Sequence, residues 1–199
     1  MARRKVEMRR EEILAATIGQ VAERGLAQTR VADVAAVLGI SPGLVFYHFA
    51  TKEALLVAAF EHAVAADLSR LDRAVRRGSD PTDRLRRVLA VYGPTGQASG
   101  WRIWIDAWAL ALRDAQIRAA LRRLDDRWRQ TMIDVVQAGT EAGTFSCPDP
   151  VASVARVSAL LDGLSVATLA YRNVTRTELR AWVRDATARE LGIAPDELS

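Results

Sequence analysis

Apolar positions recur at helical spacing along almost the whole chain. Leu14, Ile18 and Val21 stand at i, i+4 and i+7, one stripe of a first helix. Gly25 follows, a residue suited to a left-handed helix end. Val31, Val34, Ala35 and Leu38 mark a short second helix that opens near Thr29 and stops at Gly39, with the Thr29 hydroxyl expected to cap its free N–H groups. Ser41-Pro42 opens an equally short third helix, serine as N-cap and proline at the first helical position, ending near Phe49. Thr51 caps a long fourth helix that runs to about Arg77. A fifth spans roughly Pro81–Tyr92, and the most loop-like stretch of the chain, 93–100, follows. A Trp-rich sixth helix covers about Trp101–Leu112, a seventh Asp114–Ala142, an eighth Val151–Arg172 and a ninth Thr177–Leu191. Strand-like alternation bounded by turn residues is absent. The pattern predicts an all-α protein of about nine helices, with residues 1–50 as one domain, 51–199 as a second, and the 51–77 helix connecting them.

Composition narrows the function classes. Of 199 residues 50% are hydrophobic and mean hydropathy is zero, which gives a globular chain with a sizeable core. Cys147 is the only cysteine, so an internal disulfide framework and a multi-cysteine zinc site are excluded. His48 and His62 are the only histidines and stand far from a catalytic or metal-ligand spacing; no Gly-rich phosphate loop appears. An enzyme and a bound cofactor are therefore not expected. No uninterrupted apolar run approaches ~18 residues. The basic start leads into Glu11 and Glu12, not an apolar segment. A cytoplasmic protein without a membrane partner is expected. Charge is uneven: residues 1–52 hold eight Lys/Arg against five Asp/Glu, and the remainder is near neutral. That balance fits an anionic partner or a solvated basic tail at Arg3, Arg4, Lys5, Arg9 and Arg10.

The informative region is Val31–Phe49. Two short helices that cross steeply need a small residue at the contact, which Ala35 supplies, and a turn residue free to take positive φ, which Gly39 supplies. Ile40 and Val45 fill the gap. With Val45 and Phe49 turned inward, Pro42, Gly43, Leu44, Tyr47 and His48 face outward. A solvated helix would carry Lys, Glu or Gln there. Here the outward set contains no acid and offers phosphate donors, a close-approach glycine and an apolar side chain that can meet a thymine methyl. Thr51 and Lys52, at the next helix N-terminus, suit a phosphate. The segment reads as a helix-turn-helix on double-stranded DNA.

Residues 29–56, above all Gly43-Leu44-Val45-Phe46-Tyr47-His48-Phe49-Ala50-Thr51-Lys52, resemble the N-terminal signature of TetR-type regulators. The resemblance implies a homodimer on a palindromic operator, released by a small-molecule effector, with DNA contacts at Thr29, Arg30, Ser41, Pro42, Gly43, Leu44, Phe46, Tyr47, His48, Thr51 and Lys52. Phe46 departs from the tyrosine common in the family and lacks its hydroxyl. Repression is the expected activity. An activator, or an architectural DNA-binding protein without effector, is the alternative.

The C-terminal part is less specific. Trp101, Trp104 and Trp108 share a helical face with Leu112, as core or as the wall of a ligand cavity. Asp106 and Asp162 sit amid apolar helix, where an unpaired carboxylate is costly. Each either pairs with an arginine or faces a polar or cationic ligand. The span from Trp101 to Gly163 is similar to the branch of the family that contains the choline-responsive betaine-pathway repressor, which implies an aromatic box for a quaternary ammonium. Tyr92, Trp101, Trp104, Trp108, Trp128 and Asp162 are the candidate effector residues. Small and apolar residues on the last two helices serve internal core or a dimer interface. The family resemblance assigns Leu160, Gly163, Leu164, Ala167, Leu179, Trp182 and Val183 to the interface.

Overall fold

The computed structural model describes residues 2–92 and 99–199; of the loop expected at 93–100, residues 93–98 lie outside them and Ser99 and Gly100 instead open the sixth helix. Among the described residues there are nine α-helices and no strand. They are α1 (Ala2–Arg24), α2 (Val31–Leu38), α3 (Pro42–Phe49), α4 (Lys52–Arg77), α5 (Pro81–Tyr92), α6 (Ser99–Ala111), α7 (Ala115–Glu141), α8 (Pro150–Val166) and α9 (Arg176–Leu191). The helix starts follow local chemistry. Ser41 Oγ accepts the Leu44 N–H at 3.3 Å, and Thr51 Oγ1 accepts that of Ala54 at 3.0 Å. Thr175 and Glu178 bond each other's backbone N–H groups to open α9.

Two details differ from the sequence pattern. The eighth helix does not run unbroken to Arg172: Ala167–Tyr171 form a π turn, and Arg172 takes φ 56° to end it. A 3-10 turn, Pro195–Leu198, follows α9. The 22 residues Pro150–Tyr171 are also long and apolar enough to cross a membrane, although Arg156 and Asp162 interrupt the apolar run.

The chain forms two compact units whose borders differ from a cut at residue 50. One comprises Met1–Ala66 and Ser99–Leu124, the other Asp67–Ala98 and Asp125–Ser199. The helices α4 and α7 are long enough to take part in both, so neither belongs to one domain. In the first unit Ile13, Leu14, Val34, Ala35, Val45, Phe49, Leu55 and Ala59 make one apolar cluster, with Ile18, Leu38 and Ile40 packed at its edge. Each large side chain buried this way contributes ~1.5–3 kcal/mol.

In the second unit α8 and α9 pack along each other. Val154, Val157 and Leu161 of α8 and Leu179, Val183 and Leu191 of α9 are buried. Cys147 is buried too, its thiol 3.3 Å from Ser153 Oγ. The Phe145 ring lies against the backbone of α7 at Gly139, where a Cβ would overlap it. Gly139→Ala should therefore lower stability by about 1–3 kcal/mol, the usual cost of overpacking. A thermal melt checks this; an unchanged melting temperature would mean that the ring has room to move.

Candidate nucleic-acid interface and effector region

The two short helices α2 and α3 turn by 112° relative to each other. The turn is closed by Gly39 at φ 63°, ψ 32°, and by the Ile40 N–H on the Ala35 carbonyl at 3.0 Å. Val45 and Phe49 of α3 are buried, and this leaves a consistent outward face. Pro42, Gly43, Phe46 and Tyr47 are exposed, Tyr47 by 76%; Leu44 and His48 are half-buried. The Tyr47 and His48 rings meet edge to face at 5.3 Å, and the Tyr47 hydroxyl has no hydrogen bond among the described residues.

Neighbouring elements hold this helix. The Arg10 guanidinium lies 4.8 Å from the Phe49 ring centroid. Arg24 pairs with Asp33 at 2.9 Å and joins α1 to α2. Lys52 Nζ donates to the Ala27 carbonyl at 3.3 Å and keeps its remaining protons. Between α3 and α4, Ala50 takes φ 56°, ψ −48°, a region alanine rarely adopts, with the Thr51 N–H on the Phe49 carbonyl. The side chains of Arg3, Arg4 and Lys5 lie outside the described residues.

One expected DNA contact is displaced. Thr29 is 1% exposed, and its hydroxyl donates to the Gly25 carbonyl at 2.8 Å. It neither caps α2 nor is open to a phosphate; it closes the turn after α1. Arg30 stands at the N-cap position with an exposed side chain.

In the first unit α6 presents Trp101, Trp104 and Trp108, all half-buried. Trp101 and Trp108 meet edge to face at 6.0 Å, and Trp104 packs its ring against Phe60 of α4 at 5.2 Å. The side chain of Tyr92 lies outside the described residues. Asp106 has no arginine partner among the described residues. Its Oδ2 accepts the Leu26 N–H at 3.4 Å, and the carboxylate lies where a Cβ on Gly25 would come within 3.1 Å of it. Gly25 itself sits at φ 81°. Sequence spacing could not find this contact, which joins residues 80 positions apart.

Trp128 and Asp162 belong to the second unit. Trp128 is buried on α7. No arginine pairs with Asp162 among the described residues: Arg129, whose charge acts on it, pairs with Asp125 at 2.7 Å, an i,i+4 pair on α7. Burial, reinforced by the Asp125 charge and opposed by Arg129, pushes the Asp162 carboxyl up to about 6. Burial also raises Asp125. Asp162 has no hydrogen bond or ion pair among the described residues. One turn earlier, Ser158 is fully buried with its hydroxyl unpartnered.

The candidate pairing residues divide. Leu160 and Gly163 are exposed, Leu164 and Ala167 half-buried, and Trp182 is 46% exposed. Leu179 and Val183 are 2% and 3% exposed, so they serve the internal core of their own chain and cannot form a partner surface. Val151 and Tyr171, which the spacing argument passed over, are exposed apolar side chains at the two ends of the same helical stretch.

Comparison with known proteins agrees with this architecture. Residues 13–59 match the family profile described as bacterial regulatory proteins, tetR family. Residues 81–192 match the BetI-type transcriptional repressor C-terminal domain. The chain belongs to the TetR family. Among curated TetR-family relatives, the HTH-type transcriptional regulator BetI of Stenotrophomonas maltophilia is 33% identical over 135 residues. That alignment spans 64% of this chain and 66% of the relative's own length.

Two crystal structures extend the match to nearly the whole chain. A transcriptional regulator from Saccharomonospora viridis in complex with choline is 28% identical, with a TM-score of 0.85, over 93% of this chain and 98% of that one. A TetR-family regulator from a Rhodococcus species is also 28% identical, with a TM-score of 0.80, over 92% and 98%.

For a TetR-family helix-turn-helix with this face, Lys52→Ala should weaken binding to all DNA sequences and reduce the salt slope by about one. Gly43 or Leu44 substitutions should alter sequence preference instead. A gel-shift titration over salt concentration tests both. Unchanged affinity in Tyr47→Ala and Lys52→Ala together would remove this face from the DNA.

Proposed function

We propose that this TetR-family chain is a homodimeric repressor that holds a palindromic operator through α3 and releases it on binding an organic cation. The observation that carries the cation is Asp162. A half-buried carboxylate without a partner among the described residues is unfavourable, and Arg129, whose charge acts on it, is paired with Asp125. A cationic effector would supply the missing charge. The similar Saccharomonospora viridis protein was crystallised with choline, a quaternary ammonium. Taken by itself, the first unit's Trp101–Trp108 pair also offers aromatic faces of the kind that attract such cations.

Release requires that the effector favour a conformation unable to seat both reader helices. Asp106 supplies a route: it sits on α6 and holds the turn between α1 and α2 through the Leu26 N–H. A shift of α6 would move that turn and the helices beyond it. Couplings of this kind are ~1–3 kcal/mol, about 5–150-fold in operator affinity. Asp106→Ala should uncouple effector binding from DNA release while leaving the cation affinity intact. Trp108→Ala should lose induction and keep DNA binding; a general loss of melting temperature in its place would assign the tryptophan to the core.

The proton competes with the cation at Asp162. Because its folded-state carboxyl is raised to about 6 from 3.8, protonation favours the folded state as pH falls through that window. The charged form, which the cation needs, is lost over the same range. Calorimetric titration with choline as probe should show affinity falling about tenfold per pH unit below pH 6. Asp162→Asn should abolish that slope and raise the melting temperature at pH 7.5. A wild-type affinity independent of pH between 5 and 7.5 would overturn the assignment.

Dimerisation carries its own test. The exposed faces of α8 and α9 would pair about a two-fold axis and match half-sites about 34–36 Å apart or a multiple of that. Trp182→Glu should give monomers in sedimentation and weaken operator binding. A monomeric wild-type mass at micromolar concentration would end the two-fold reading.

A further inference from the structure

Within the second unit, the C-terminal end of α4, the first turns of α5 and the middle of α7 bound a groove of about 480 Å³. None of the residues assigned above to the effector lines it. Its volume falls in the range of small-molecule sites, ~300–1,000 Å³. Val75, Pro81, Val135 and Ala138 give it an apolar lining, and Arg76, Arg84 and Arg127 bring three guanidinium groups to it.

The charges in the groove are unequal. Asp72 and Asp134 are its only acids. Asp72 faces Arg127 at 3.6 Å, and Asp134 accepts the Gln130 side-chain amide at 2.8 Å. Arg84 is oriented by its Nε donating to the Gly78 carbonyl at 3.3 Å, which leaves its terminal nitrogens without a carboxylate among the described residues. Arg76 is exposed and has no ion-pair partner among them either. Three cations against two anions leave one positive charge, carried on planar donor forks that match a carboxylate. A dianion would exceed that charge; a cation would meet repulsion from Arg76 and Arg84.

We propose that this groove is a second ligand site, one that takes a small organic monocarboxylate with a short hydrocarbon body. The carboxylate bridges Arg76 and Arg84, and the hydrocarbon lies along Val75, Pro81 and Val135.

Hexanoate is the probe, titrated calorimetrically into the full chain. Saturable binding with one site per chain is expected. It should weaken by about tenfold in Arg76→Gln and in Arg84→Gln, the effect of losing one charge-assisted hydrogen bond. It should be unchanged in Arg86→Gln, which lies on α5 outside the groove, and in Asp162→Asn, which separates this site from the proposed effector site. Hexylamine should not bind there, and inorganic phosphate should bind more weakly. Absence of hexanoate binding, or binding equal to wild type in both groove variants, would overturn the proposal. So would phosphate binding as tight as hexanoate. Arg76 is exposed, so its substitution should leave the melting temperature unchanged. If Arg84→Gln fails to fold, Arg76→Gln alone decides.

Discussion

The geometry of the reader helix depends on an apolar contact beneath it. Helices of eight residues are marginal by themselves. The 112° turn between α2 and α3 is held by Val34 and Ala35 on one side, Val45 and Phe49 on the other, and Ile13 and Leu14 from α1. Ala35 matters because a larger side chain would push the two helices apart. Since the inner face of α3 is committed to this cluster, its outer face has no structural duty. It can carry Gly43, Tyr47 and His48, which a merely solvated helix would not select. Around the cluster, short polar links at Arg24–Asp33, Thr29–Gly25 and Lys52–Ala27 keep the ends of the elements in register.

Two aspartates of the same chemistry meet opposite environments. Asp106 has a backbone N–H to accept and becomes a fastening between α6 and the turn after α1. Asp162 has burial and a second carboxylate nearby, and its charge is disfavoured. One aspartate therefore stabilises an arrangement, and the other leaves a demand for positive charge.

Much of this was legible in the sequence, for physical reasons. Helix periodicity, the Ser41 and Thr51 caps and the Gly39 turn are local, so spacing alone reported them. The outward face of α3 followed once Val45 and Phe49 were turned inward. Thr29 was misread because serine and threonine ahead of a helix usually cap it; its hydroxyl instead reaches back four residues to Gly25. The partners of Asp106 and Asp162 depend on which helices lie side by side, and a periodic pattern carries no such information. Leu179 and Val183 look like interface residues in a small-and-apolar stretch, but the pattern does not say which side of α9 meets α8. The arginines of the groove come from three separate helices, and nothing in their spacing joins them.

The apolar character of Pro150–Tyr171 has a consequence during synthesis. This stretch leaves the ribosome before α9, the helix that packs along α8. At ~5–20 residues per second, the nascent chain carries an uncovered hydrophobic helix for roughly a few seconds. In that interval the helix can meet targeting factors, chaperones or another nascent copy. Arg156, which pairs with Glu190 of α9 in the finished fold, and Asp162 are charges that interrupt its hydrophobicity. They make the stretch a poorer substrate for membrane insertion while it waits for its cover.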